Sequence, residues 1–198
     1  LQSPLVTARP MPTANTFVGR GPAELFWEEV LPLLEQQRWA DAVPLFAFYL
    51  GDYPDDDGVR REYAITLTRA GQGALAVPLF ERLLRKGEDR QLRLLLARTL
   101  RDLDRTREAA GHYEALATQP PFDKTVALEW IRALAWVEEY DEAIDATESM
   151  LDRAPDSVPL RIELARLYFY TDRLEEADAL LADLTDAELA LAGATELR

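Results

Sequence analysis

Small and apolar residues recur along this chain at helical spacing, and the pattern itself repeats. Small residues stand at Ala42, Ala76, Ala109, Ala143 and Ala177, separated by 34, 33, 34 and 34 positions. Four positions after most of them comes a bulky residue: Phe46, Phe80, Tyr113 and Leu181, with Thr147 the exception. Seven positions after comes another: Tyr49, Leu83, Leu116, Met150 and Leu184. Positions i, i+4 and i+7 share one face of an α-helix, so each alanine anchors a predicted amphipathic helix. Three before each alanine stand Trp39, Gly73, Thr106, Tyr140 and Leu174. A second helical pattern precedes the later anchors: Leu96, Ala97 and Leu100; Trp130, Ile131 and Leu134; Leu164, Ala165 and Tyr168. The pentapeptide AVPLF occurs at both Ala42–Phe46 and Ala76–Phe80. Pro54, Pro121 and Pro155 fall where helices should stop, and the acids after them favour the next helix start. Self-similarity at a period of roughly 20 to 50 residues predicts stacked helix pairs whose core is a stripe shared between neighbours.

These units resemble the tetratricopeptide repeat family. Its helix–turn–helix unit of about 34 residues carries a small residue in the second helix, an aromatic four later and a proline near the end. Five units fall in phase, at about 23–56, 57–89, 90–123, 124–157 and 158–186. The resemblance implies an all-α, right-handed α-solenoid. Departures exist. The family's first-helix tryptophan is replaced by Phe26, Arg60, Arg93 and Arg161, and the turn glycine survives only at Gly71. Pro44 and Pro78 fall inside second helices, within the first turns on this reading, where a missing N–H costs little. Residues 1–22 hold Pro4, Pro10, Pro12 and Pro22. They read as an extended or disordered N-terminal tail, with Pro22 opening the first helix. The chain begins at Leu1 rather than Met and so reads as a processed or excised piece. Residues 187–198 read as a capping helix or the start of a truncated sixth repeat, with Leu189, Ala192 and Leu197 on its apolar face. Such an end would allow self-association.

Composition narrows the function classes. No apolar run reaches the roughly 18 residues a membrane span needs. No cysteine is present, which excludes disulfides, thiolate metal sites and cysteine nucleophiles. The net charge is −14, and residues 138–198 hold 17 acids against 5 bases. That balance opposes phosphate-backbone binding, so nucleic acid is not an expected partner. The acidic end reads as a solvated surface or as a dock for a basic partner. Lys86 and Lys124 are the only lysines among 22 basic residues, which points to a GC-rich, bacterial genome. Cytoplasm and periplasm both fit.

Catalytic chemistry finds little support. His112 is the one histidine, so a metal site or triad built on histidine would rest on a single residue. Asp55-Asp56-Asp57-Gly58 is not a calcium loop, because alignment on the glycine puts Tyr53 and Ala64 where the two essential carboxylates belong. Gly71-Gln72-Gly73 follows no predicted strand and is no dinucleotide fingerprint. The chain is expected to be no enzyme and to need no cofactor.

A binding surface remains. The resemblance implies that the first helix of each unit lines a concave groove. Its ninth position is Arg98, Arg132 and Arg166 in three successive units, with Arg61, Arg69 and Arg101 nearby and aromatics at Trp27, Trp136, Phe169 and Tyr170. Such a row could bind an acidic or carboxylate-ended peptide. Alternatively, Glu28, Glu62, Glu129 and Glu163 recur at the sixth position. Glu129–Arg132 and Glu163–Arg166 would then be i, i+3 pairs that neutralise each other. Both readings stand on sequence. The chaperone-type carboxylate clamp does not fit. Its basic and asparagine positions fall on Trp27, Leu31, Glu62, Gln91 and Leu95, or on Arg61, Ile65, Leu95, Thr125 and Glu129. The expected function is a non-catalytic scaffold that binds a protein or peptide. One alternative is a periplasmic module of a bacterial envelope system for exopolysaccharide export or outer-membrane assembly, to whose repeats Pro159–Leu184 is similar. The other is a module of a larger regulatory or enzymatic protein.

Overall fold

The computed structural model describes residues 21–182 and 184–191. Among the described residues the chain is α-helical without strands: α1 (Pro22–Glu35), α2 (Trp39–Asp52), α3 (Asp57–Arg69), α4 (Gly73–Lys86), α5 (Arg90–Asp102), α6 (Thr106–Ala117), α7 (Lys124–Trp136), α8 (Tyr140–Arg153), α9 (Val158–Tyr170), α10 (Leu174–Leu181) and α11 (Asp186–Leu191). The first ten form five helix–turn–helix pairs in a right-handed α-solenoid. Helix packing runs mainly between sequence neighbours, as quasi-one-dimensional stacking requires. The odd-numbered helices α1 to α9 are the A helices below, and α2 to α10 the B helices. Pro4, Pro10, Pro12, Ala192 and Leu197 lie outside the described residues.

Every A-to-B turn uses the same backbone device. Gln37, Gly71, Asp104, Glu138 and Asp172 have φ of 57°, 74°, 59°, 62° and 61°. They recur with the repeat period, each five positions before an alanine anchor. The N–H of the left-handed residue donates to the carbonyl three back, as Gln37 does to Leu34 at 3.0 Å. The next N–H donates five back: Arg38 to Leu33, Gln72 to Leu67, Arg105 to Leu100, Glu139 to Leu134 and Arg173 to Tyr168, all at 2.8–3.0 Å. This is the Schellman closure, which satisfies carbonyls that a helix end leaves free. Sequence alone shows it only at the glycine.

Helix starts are capped from the B-to-A loops. Asp56, Asp89 and Asp123 accept from the backbone N–H of Val59, Leu92 and Thr125 at 3.0, 2.9 and 2.9 Å. Pro22 is the first residue of α1, with Gly21 at its cap. Pro44 and Pro78 are each the sixth residue of their helices, past the first turn. Each therefore deletes a real i to i−4 bond, from the carbonyls of Ala40 and Ala74. Both prolines and both alanines are exposed, so water can take the bond instead.

The anchors are where the chain is most tightly packed. Ala42, Ala76, Ala109 and Ala143 are 0% exposed and Ala177 is 6%. Two clusters make up the core. Repeats two to five share one continuous cluster from Ala64 to Leu189. Repeat one holds a smaller, aromatic one around Phe26, Phe46 and Tyr49, with ring centroids 4.5–5.2 Å apart about Phe26. Tyr63 joins the two, stacking on Phe46 at 5.7 Å. The core is a stripe, as the period predicts, and its two clusters meet near the N-terminal end through Val43, Val59 and Tyr63.

Candidate functional site: the A-helix face

The A helices of successive repeats touch through one recurring offset. Thr68 meets Thr99 at 3.4 Å, Arg98 meets Glu129, and Arg132 meets Glu163. Each contact spans 31 residues, three short of the repeat. Neighbouring A helices thus lie side by side, staggered by about one turn.

The stagger decides where the arginine row points its charge. Arg98 is bidentate on Glu129, its Nε donating to Oε2 at 3.0 Å and its Nη2 to Oε1 at 2.6 Å. Arg101 stands 3.8 Å from the same carboxylate. Arg132 donates from Nε to Glu163 Oε1 at 2.8 Å, and Arg166 donates to that same oxygen at 3.3 Å. Of the two pairs predicted within one helix, Glu163–Arg166 forms. Glu129, however, turns to Arg98 and Arg101 of the preceding repeat rather than to Arg132. The reason is packing: Glu129 sits 18% exposed between α5 and α7, where Arg98 reaches it with two bonds. Arg61 continues the pattern, pairing with Asp89 and donating to Gln91 at 3.0 Å. Arg69 lies over the Trp39 ring, 4.6 Å from its centroid.

Burial raises the Glu129 carboxyl, yet the Arg98 guanidinium holds it below the usual carboxylate range. Glu129 in turn raises Arg98 above its ordinary value. The Tyr113 phenol beneath is pushed up by burial. Glu129 is close enough to act on it electrostatically, but its buried hydroxyl finds no hydrogen-bond partner among the described residues.

The aromatics are placed differently. Trp27 is half-buried against the repeat-one cluster, 5.0 Å from Phe26. Trp136, Phe169 and Tyr170 are 75, 52 and 60% exposed. They lie at the C-terminal ends of α7 and α9, beside the A-to-B turns. Leu31, at the register of Arg98 in repeat one, is 48% exposed. The structure therefore splits the expected site into a charge ladder along repeats two to five and an exposed aromatic end at repeats four and five.

Sequence reasoning missed one part of this surface and one feature of the packing away from it. Leu174 reads as a packing residue before its anchor, yet it is 49% exposed next to the aromatic end. Arg90 and Arg153 look like surface charges. They instead donate to the carbonyls of Leu116 and Ala117 at 3.1 and 2.7 Å, closing the C-terminus of α6. His112 packs beside Arg93, Nδ1 to Nη1 3.2 Å, and burial followed by the Arg93 charge lowers it below the ordinary imidazole value.

Two tetratricopeptide repeat family models match, one over residues 33–99 and 137–190 and the other over 94–158. The chain belongs to the tetratricopeptide repeat family. Among curated proteins none matches. Among solved structures, residues 41 to the end of MamA from Desulfovibrio magneticus RS-1 superpose with a TM-score of 0.66 at 15% identity, over 88% of this chain and 94% of that one. A tetratricopeptide repeat protein from Parabacteroides merdae ATCC 43184 gives 0.68 at 14%, over 86% and 66%. YrrB, a tetratricopeptide repeat protein with an unusual peptide-binding site, gives 0.60 at 16%, over 85% and 90%. Identities this low show a shared fold. Membership of the family makes the chain a protein-interaction scaffold in architecture, and no described helix is long and apolar enough to cross a membrane.

Proposed function

We propose that this tetratricopeptide repeat protein is a non-catalytic scaffold that binds a partner peptide along the groove lined by its A helices. The observation that carries the reading is the exposure of Trp136, Phe169 and Tyr170, 52–75% each, at consecutive A-helix ends. Large rings left in water by the packing are what a recognition surface offers. The peptide-binding site of YrrB, which shares the fold, supports the same use of it. In this reading the arginine ladder fixes the stagger of the A helices and the aromatic residues supply contact area. Arg61, Arg98, Arg101, Arg132 and Arg166 then serve the groove as its walls rather than as free anion donors.

The test is selection of binding peptides from a random library on the full chain, followed by alanine substitution. Trp27→Ala, Leu31→Ala and Trp136→Ala should weaken the selected peptides. Phe48→Ala and Leu75→Ala, on exposed B-helix positions at 58% each, should not. Peptides that depend on Phe48 or Leu75 alone would place the site on the other face and end the proposal.

A further inference from the structure

The aromatic end of the A-helix face carries an electrostatic signature of its own. Trp136 and Tyr170 are the last residues of α7 and α9 and occupy the same register, 34 residues apart. The Tyr140 ring at the start of α8 lies 5.9 Å from Tyr170, and the Phe169 ring lies 6.3 Å from it. Glu138 and Asp172 on the turns, and Asp141, Glu142 and Glu175 in the first turns of α8 and α10, stand exposed, and none of their carboxylates has a hydrogen bond or ion pair among the described residues. The nearby bases are already engaged. Arg173 donates to Glu176 at 2.9 Å and covers the Tyr168 ring at 4.0 Å, while Arg107 pairs with Glu139. The C-termini of α7 and α9 and the N-termini of α8 and α10 meet at these turns, so their dipoles offset and the negative potential comes from the carboxylates.

The same chain shows what such a register holds when it is filled. In repeats one and two the last residue of α3 is Arg69, which covers Trp39, the first residue of α2, at 4.6 Å. Thirty residues separate that pair, as they separate Tyr140 and Tyr170. At repeats four and five a ring stands where the guanidinium would be. Aromatic faces and unpaired carboxylates favour a cation, and among the described residues no side chain supplies one.

We infer that this surface takes a cationic segment of a partner protein, seating an arginine or lysine against Trp136 and Tyr170. The inference rests on the A-helix face being the docking face, and it gives the partner the opposite charge to the one the arginine row suggests.

The probes are a peptide of alternating arginine and proline and its lysine and glutamate counterparts, titrated into the full chain. The readout is the indole N–H signals of Trp136 and of buried Trp130. The arginine peptide should shift Trp136 and leave Trp130 still, and added salt should weaken it. Trp136→Ala and Tyr170→Ala should each reduce its affinity by about tenfold without loss of helicity. Glu138→Gln with Asp172→Asn should reduce it by a smaller factor. Because Trp136→Ala keeps every charge, undiminished affinity there would mean diffuse attraction to an acidic protein and would overturn the inference. Equal binding of the glutamate peptide would do the same. If library-selected peptides bind through Trp27 and Leu31 while the arginine peptide leaves Trp136 unmoved, the groove stands and the cationic assignment falls. A Trp136 signal that differs between the full chain and a chain starting at Gly21 would make residues 1–20 the occupant. They hold Arg9, Arg20 and no acid, and that outcome would overturn assignment to a separate partner.

Discussion

The five left-handed turn residues allow a paired test of how this solenoid is built. Gln37 has φ 57°, is exposed, and its side chain makes no bond among the described residues. Gly71 holds the matching position one repeat on, at φ 74°, and a Cβ added there would meet nothing within 4 Å. The two sites therefore differ in backbone preference and in little else. A left-handed conformation costs a residue with a Cβ roughly 1–2 kcal/mol. Replacing Gln37 by glycine recovers that cost and gives back about 0.5–1 kcal/mol as extra freedom of the unfolded chain. Gln37→Gly should thus stabilise by about 0.5–1 kcal/mol, and Gly71→Ala should destabilise by about the same amount. In a chain of this length, 1 kcal/mol moves the melting midpoint by about 2–4 °C. Thermal and urea unfolding followed by circular dichroism would read both changes. Because stability in a solenoid is a sum of repeat and interface terms, the terminal change should chiefly suppress fraying of α1 and α2. Loss of stability in Gln37→Gly, or none in Gly71→Ala, would refute the argument that φ dominates at these turns.

Three further outcomes follow from the packing and the charges. Ala143 is 0% exposed, so Ala143→Leu should overpack its contact and destabilise by roughly 1–3 kcal/mol, read as a lower melting midpoint. His112 is held below the ordinary imidazole value of 6.5, by burial first and then by Arg93. Its contribution is therefore full above about that pH and is lost as pH falls through the lower folded value. His112→Gln should flatten this part of the stability profile, and an unchanged profile would show that the imidazole does not titrate there. Arg98→Ala should cost about 1 kcal/mol in urea unfolding, since its pair with Glu129 is partly exposed, and a several-fold larger loss would mark the ladder as the main tie between α5 and α7.

How much of this was legible in the sequence depends on whether a feature repeats in kind or only in place. The alanine anchors repeat in kind, because all five are buried, at 0–6% exposure, where a larger side chain would overpack. Their period survives the divergence around them. The turns repeat in place only: Gln37, Asp104, Glu138 and Asp172 adopt the conformation of Gly71, and three different side chains hide the common backbone. The ladder was half legible. Arg98, Arg132 and Arg166 share the period with Glu129 and Glu163, but an offset of three residues suits a pair within one helix as well as a pair across the stagger. Arg60 shows the limit. At 3% exposure and paired with Asp57, it occupies the register of a core aromatic, and nothing local in its sequence announces burial.

The ladder and the aromatic end together bear on the charge of the partner. An acidic peptide that captured Arg132 would have to replace its bond to Glu163, whose side chain is 9% exposed. Glu163 would then keep only Arg166, at 3.3 Å. Leaving a nearly buried carboxylate short of a partner is costly, up to about 3–5 kcal/mol when the pair is fully buried and broken. The ligand's own gain at an arginine 56% exposed is that of a surface pair, about 0.2–1 kcal/mol. The balance therefore runs against a carboxylate ligand on the arginine row, even though the row is the feature of the sequence that first suggests one. A cation at Trp136 and Tyr170 displaces no existing pair, because the carboxylates of Glu138, Asp141, Glu142, Asp172 and Glu175 have no partner among the described residues. The A-helix face thus discriminates by what each charge would have to break, and on that ground it favours a basic segment.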